Sequence, residues 1–115
     1  MRPLAVLLAV LCFPGCDLDP VSCDDFAATS VMLTLTNSDG AAIEGAAVSF
    51  VSDDLSDDCF ENDPGSYVCG YEVEGDLTIS AEAVGYQSQT TTVTVGADEC
   101  HVITETAEMA LAPVD

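Results

Sequence analysis

The sequence has no lysine, no tryptophan and a single arginine, Arg2, against 21 Asp and Glu residues and a formal net charge of -20. Phosphate clamps, basic grooves and electrostatic nucleic-acid interfaces are thereby excluded, because each needs side-chain cations to displace counterions. Histidine occurs once, at 101. The one nucleophilic dyad the composition permits is therefore Cys100 with His101, and adjacent strand residues point to opposite faces. No Cys-x-x-Cys pair is present, which argues against zinc. Ser66, Ser80 and Ser88 lack a Gly-x-Ser-x-Gly context, and there is no Asn-x-Ser/Thr acceptor. No apolar run is long enough to cross a membrane. The longest, Leu4 to Phe13, is about 10 residues and reaches roughly half of a ~30 Å hydrocarbon core as a helix. With 115 residues there is room for one domain.

What is present begins with Met1-Arg2, that apolar run, and Pro14-Gly15-Cys16, the three parts of a bacterial export signal. Gly15-Cys16 resembles a lipobox, in which a cysteine after a small residue is acylated and becomes the new N-terminus. Phe13 and Pro14 depart from the usual residues of that motif. The expectation is a signal peptide over 1–15, an acylated Cys16 and a tether over 16–28, followed by a folded domain over 29–112. The chain would then be an exported lipoprotein of the cell membrane or outer membrane, periplasmic or surface-exposed, held by acyl chains. Plain secretion, with Cys16 left as an odd thiol, is the alternative.

Of six cysteines, Cys12 falls in the signal and Cys16 under the lipid, leaving Cys23, Cys59, Cys69 and Cys100. An even set in a small exported domain makes two disulfides most economically, and four cysteines allow three connectivities. Cys59 and Cys69 are equidistant from Pro64 in Asn62-Asp63-Pro64-Gly65, so a hairpin turning there sets them opposite each other. Pairing Cys59 with Cys69 leaves Cys23 for Cys100.

From Thr29 onward short runs rich in Val, Ile, Thr and Tyr are separated by Gly, Asp and Asn clusters, a sandwich-like spacing. Val31, Leu33 and Leu35 alternate with Thr34 and Thr36; Val48 and Phe50 flank Ser49; Leu77, Ile79 and Ala81 alternate with Thr78, Ser80 and Glu82. Tyr67, Cys69, Tyr71 and Val73 form a further inward set, with Glu72 and Glu74 opposite. The last strand, His101 to Leu111, puts Glu105 on the face of Ile103, Ala107, Met109 and Leu111, which a bulge or an edge position would explain. No helix longer than a turn is expected.

The stretches Asn37-Ser38-Asp39-Gly40-Ala41-Ala42-Ile43-Glu44-Gly45-Ala46-Ala47-Val48, Gly65-Ser66-Tyr67 and Gly75-Asp76-Leu77-Thr78-Ile79-Ser80-Ala81-Glu82-Ala83-Val84-Gly85-Tyr86 together resemble the carboxypeptidase regulatory-like domain. The resemblance spans about Thr29 to Leu111. It implies an all-β, transthyretin-like (prealbumin-like) β-sandwich of about seven strands, here disulfide-stapled, and no peptidase activity. A lysine–asparagine isopeptide cross-link, found in similar surface domains, is impossible without lysine. Starch-binding relatives use exposed aromatic platforms. With Tyr67 and Tyr71 assigned to the core, Tyr86 and Phe60 are what remains for that role.

The acidic run Asp53, Asp54, Asp57 and Asp58, with Glu61 and Asp63, could wrap a calcium ion, which takes six to eight oxygens. The plainer reading is a solvated acidic loop. Pairs such as Glu72 with Glu74 could imitate a glycosidase acid and base, although a chain this acidic produces such pairs by chance. Nothing calls for a cofactor. The expected function is a non-catalytic envelope lipoprotein module, monomeric, with an envelope protein or glycan as partner and no nucleic acid. The alternatives are a calcium- or glycan-binding surface module and, more weakly, a small hydrolase. Unpaired carboxylates repel one another and weaken the compact state at low ionic strength. Salt raised from about 10 mM to about 0.5 M, or added calcium, is expected to raise the melting midpoint by a few degrees. An unchanged midpoint in a thermal melt would remove that electrostatic penalty.

Overall fold

A computed structural model describes residues 23, 26–53 and 55–114. The signal segment, Cys16, most of the tether and Asp54 lie outside the described residues. The rest forms eight strands in two sheets: β1 (Thr29–Asn37), β2 (Ala47–Ser52), β3 (Leu55–Asp58), β4 (Phe60–Asp63), β5 (Ser66–Tyr71), β6 (Gly75–Glu82), β7 (Gln89–Val95) and β8 (Glu105–Leu111). One sheet has the order β4-β5-β1-β8 and the other β3-β2-β6-β7. No helix is found among the described residues, and none is long and apolar enough to cross a membrane.

The alternating side chains do what their period demands. Val31, Leu33 and Leu35 from one sheet, and Leu77, Ile79 and Ala81 from the other, are all fully buried. Val48, Phe50, Tyr67, Cys69, Met109 and Leu111 complete the same core. On the outer face of the second sheet, Thr78 meets Thr92 and Ser80 meets Thr90, with hydroxyl oxygens 3.3 Å apart, while Thr94 donates to Asp76. The threonine-rich run is thus a solvated strand face whose hydroxyls bond across the ladder.

Turn chemistry holds these strands in register. The Asn37 side-chain oxygen accepts from the N–H groups of Asp39 and Ala41, and Gly40 follows at φ 86°. Gly65 is required twice over. Its φ is 77°, and a side-chain carbon there would lie 2.6 Å from that of Ala42.

Eight strands replace the expected seven because the acidic stretch is not a loop. Residues 55–58 pair with β2 through Ser49–Asp58 to Ser52–Leu55, and 60–63 pair with β5. All eight residues are exposed, so no apolar alternation marks them. Pairing with a neighbour overrides the poor strand propensity of aspartate. Short, charged strands also suit a sheet edge, where they resist addition of another chain.

The last strand begins at Glu105 rather than His101. It lies at the sheet edge, parallel to β1. That position accounts for Glu105 on the inward face, while Ile103 lies ahead of the strand and is exposed.

Both expected disulfides are present. Cys59 and Cys69 face each other with Cα atoms 4.4 Å apart, in continuation of the Phe60–Val68 and Glu61–Tyr67 register about Pro64. Cys59 also donates its N–H to the Val48 carbonyl, so the bridge stands where the chain passes from one sheet to the other. Cys23 pairs with Cys100. A chain carrying two such bonds belongs in an oxidising compartment.

Candidate functional site

Two constellations stand out, one a fastening and one a cavity. The first is built on Glu72, which follows β5 at φ 56°, a left-handed conformation rare outside glycine. Its N–H donates to the Ala28 carbonyl, and its carboxylate accepts from the N–H groups of Ala28 at 2.6 Å and Val102 at 3.0 Å. His101 Nδ1 lies against the same carboxylate. Glu72 therefore joins the segment entering β1 to the segment preceding β8, the same two segments that Cys23–Cys100 ties. These bonds hold a backbone conformation that would otherwise relax.

The donors from Ala28 and Val102, and then His101, hold the Glu72 carboxyl below its ordinary range. The N–H groups of His101 and Cys100 do the same for Asp98. A carboxyl lowered on folding adds stability above its unfolded pKa of about 4.3, and that stability is lost as pH falls through the lower folded value. Glu72→Gln should thus melt a few degrees below the parent at neutral pH, with the gap closing on acidification below about pH 4. Circular-dichroism melts across that range check it. A gap independent of pH would mean that the charge on Glu72 has no part in holding the ends.

The Cys100–His101 dyad that the composition permits does not form, since Cys100 is in a disulfide and His101 faces Glu72. Glu72 is also occupied by its three donors, which leaves the Glu72–Glu74 pair without a free acid and base. Of the acidic candidates, Asp53 is in the β2–β3 turn at φ 47°, Asp57 and Asp58 are adjacent on β3, and Glu61 and Asp63 are on β4. Glu61 spends its two oxygens on the N–H groups of Gly45 and Gly65. Among the described residues no three His, Cys, Asp or Glu side chains gather as metal ligands. The strands spread these carboxylates apart instead of wrapping them into one loop.

The second constellation is a cavity of about 300 Å³ beside the β3–β4 corner, lined by Phe50, Leu55, Asp57, Phe60, Tyr71 and Val73 among others. Tyr71 is not a core residue: it is 47% exposed, while Tyr67 is buried. Gly70 at φ 85° precedes it and Glu72 follows in the left-handed region, so the inward alternation ends there. The Tyr71 ring stacks on Phe60 instead, with centroids 6.1 Å apart and planes at 24°. Phe60 and Leu55 are also about half exposed. A side chain at Gly70 would press on Phe50 and Val73, each 3.3 Å away, so glycine keeps the floor of the cavity clear.

Asp57 pairs with Phe50 across β2 and β3 and shares its face, which sets a carboxylate beside the aromatic pair. Tyr86, the other aromatic left for a sugar platform, packs against the core and bridges to Pro113. The sequence carried one sign of Tyr71's position, namely Gly70 inside an otherwise alternating strand, the mark of a local irregularity.

No protein-family model matches the sequence, and no curated protein does. Solved structures do resemble the fold. The Bacillus anthracis TIE protein superposes with a TM-score of 0.54 at 12% identity over 76% of this chain. Acinetobacter radioresistens catechol 1,2 dioxygenase gives 0.50 at 14% identity, also over 76%. The chain spans 17% of the first and 53% of the second. At such identities the likeness is one of β-sandwich architecture, and fold does not carry function with it.

Proposed function

We propose that the protein is a non-catalytic module of the cell envelope, anchored through acylated Cys16 and carrying a sandwich of the carboxypeptidase regulatory-like kind. The observation that carries this reading is the cysteine pairing. Cys23–Cys100 and Cys59–Cys69 use the four cysteines that follow Cys16 and leave Cys16 for the lipid. An oxidising compartment and an N-terminal acyl anchor fit together. The occupied Glu72, the oxidised Cys100 and the engaged His101 favour a binding or structural role over hydrolysis.

An intact-mass spectrum of protein from its native membrane fraction, before and after reduction and alkylation, tests the reading. A chain beginning at an acylated Cys16, with four thiols alkylated only after reduction, is expected. A mass without lipid would make the protein secreted, and thiols free before reduction would return the nucleophile reading.

Binding is favoured over a purely structural role by the exposed Phe60–Tyr71 stack, since aromatic side chains left half in water are typical of contact surfaces. The calcium reading has less support, because Asp57, Asp58, Glu61 and Asp63 lie on two strands and Glu61 is already bonded.

A further inference from the structure

The cavity beside Phe60 and Tyr71 combines three properties that together select a ligand. Two stacked rings with half of their surface in solvent present aromatic faces, which attract cations through the ring quadrupole. Asp57 sits on the cavity side of β3 opposite Phe50, one of its carboxylate oxygens accepting the N–H of Asp58 at 2.8 Å, and the carboxylate of Asp58 follows along the strand. Beyond Arg2 the sequence has no lysine or arginine to neutralise them. A volume of about 300 Å³ is at the small end for ligand pockets, which suits one long side chain better than an oligosaccharide.

We infer that this cavity receives an arginine side chain from a basic protein partner, its guanidinium lying against the Phe60–Tyr71 pair with its N–H edge toward Asp57. The guanidinium is planar and weakly hydrated, so it stacks on a ring while keeping donors for a carboxylate. The lysine ammonium is a strongly hydrated point charge and does this less well. Leu55 and Val73 supply the apolar wall along which the methylene stem would lie. The inference rests on the reading of the protein as a non-catalytic binding module and names the partner chemistry that this reading leaves open.

The test is a titration of the isotope-labelled, disulfide-oxidised full chain with acetyl-Gly-Arg-Gly-amide, followed by amide chemical shifts. The neutral citrulline counterpart and cellohexaose are run alongside. Shifts confined to residues 55–60 and 70–73 are expected with the arginine peptide, weakened about tenfold by citrulline. Tyr71→Ala should weaken binding at least about fivefold. Asp57→Asn, which keeps the shape of the site, should weaken it less, and Glu108→Gln on the distant β8 should leave it unchanged.

Shifts spread evenly over the acidic surface, or equal responses to arginine and citrulline, would overturn the inference. Cellohexaose moving these residues while the arginine peptide does not would transfer the cavity to a glycan, and no response to either would also overturn it. These outcomes are independent of the mass spectrum. An acylated Cys16 with a silent cavity would sink this inference alone, and an arginine response from a chain without lipid would sink the anchoring alone.

Discussion

Replacing Cys23 and Cys100 by serine is expected to lower the unfolding free energy by about 4–5 kcal/mol, and replacing Cys59 and Cys69 by alanine by about 3 kcal/mol. The difference follows from the chain enclosed. Cys23–Cys100 joins residues 77 apart in sequence and Cys59–Cys69 residues 10 apart, and the entropy removed from the unfolded chain grows with the logarithm of the loop. A domain of this size has only about 5–15 kcal/mol in total, and like-charge repulsion subtracts from it. Full reduction should therefore leave no cooperative transition at 37 °C.

Two features could reorder the pair. Cys69 is fully buried, so its truncation also leaves a void. The ends joined by Cys23–Cys100 are separately fastened by Glu72 to Ala28 and Val102. Urea denaturation of the two double variants decides. A larger loss from the Cys59–Cys69 pair would mean that packing around Cys69 outweighs loop entropy.

What the sequence disclosed and what it hid divide along one line, whether the signal is local. Val31, Leu33 and Leu35 announce a strand because each is apolar and two residues from the next, and all three are buried. Cys59 and Cys69 announce their bridge because a turn centred on Pro64 sets them opposite, as the register confirms. β3 and β4 carry no such mark. Their eight residues are exposed, and what fixes them is pairing with β2 and β5. Glu72 was legible as an outward polar residue of a strand, whereas its partners are 44 and 30 residues away. Tyr71 kept the parity of a core residue, and the positive φ values of Gly70 and Glu72 on either side put it at the surface. The cavity is made from these nonlocal facts, which is why the sequence offers Phe60 only as an aromatic platform and Asp57 only as a calcium candidate, with nothing to join them.

Removal of one oxygen atom from the core should be felt nearly as strongly as loss of the short disulfide. Tyr67 is 1% exposed, and its hydroxyl donates to the Ile43 carbonyl at 2.8 Å while accepting from the Ala46 N–H at 3.0 Å. Burial pushes its phenol above the ordinary range, and the Ala46 N–H pulls the other way. The ring comes from β5 in one sheet. The two backbone groups belong to the segment that leads into β2 in the other, so this hydroxyl is a polar tie across the sandwich.

Tyr67→Phe keeps the ring and its packing but leaves a carbonyl and an N–H without that partner, at a cost of about 1–3 kcal/mol. For a domain of this length that is on the order of 10 °C in melting temperature. Calorimetry reads the total, and amide hydrogen exchange locates it. The Ala46 amide should exchange faster while the amides at the centre of β6 stay protected relative to global unfolding. A loss below about 0.5 kcal/mol with the Ala46 amide still protected would show that water takes over both bonds, and that the sandwich is closed by its apolar side chains and disulfides without this tie.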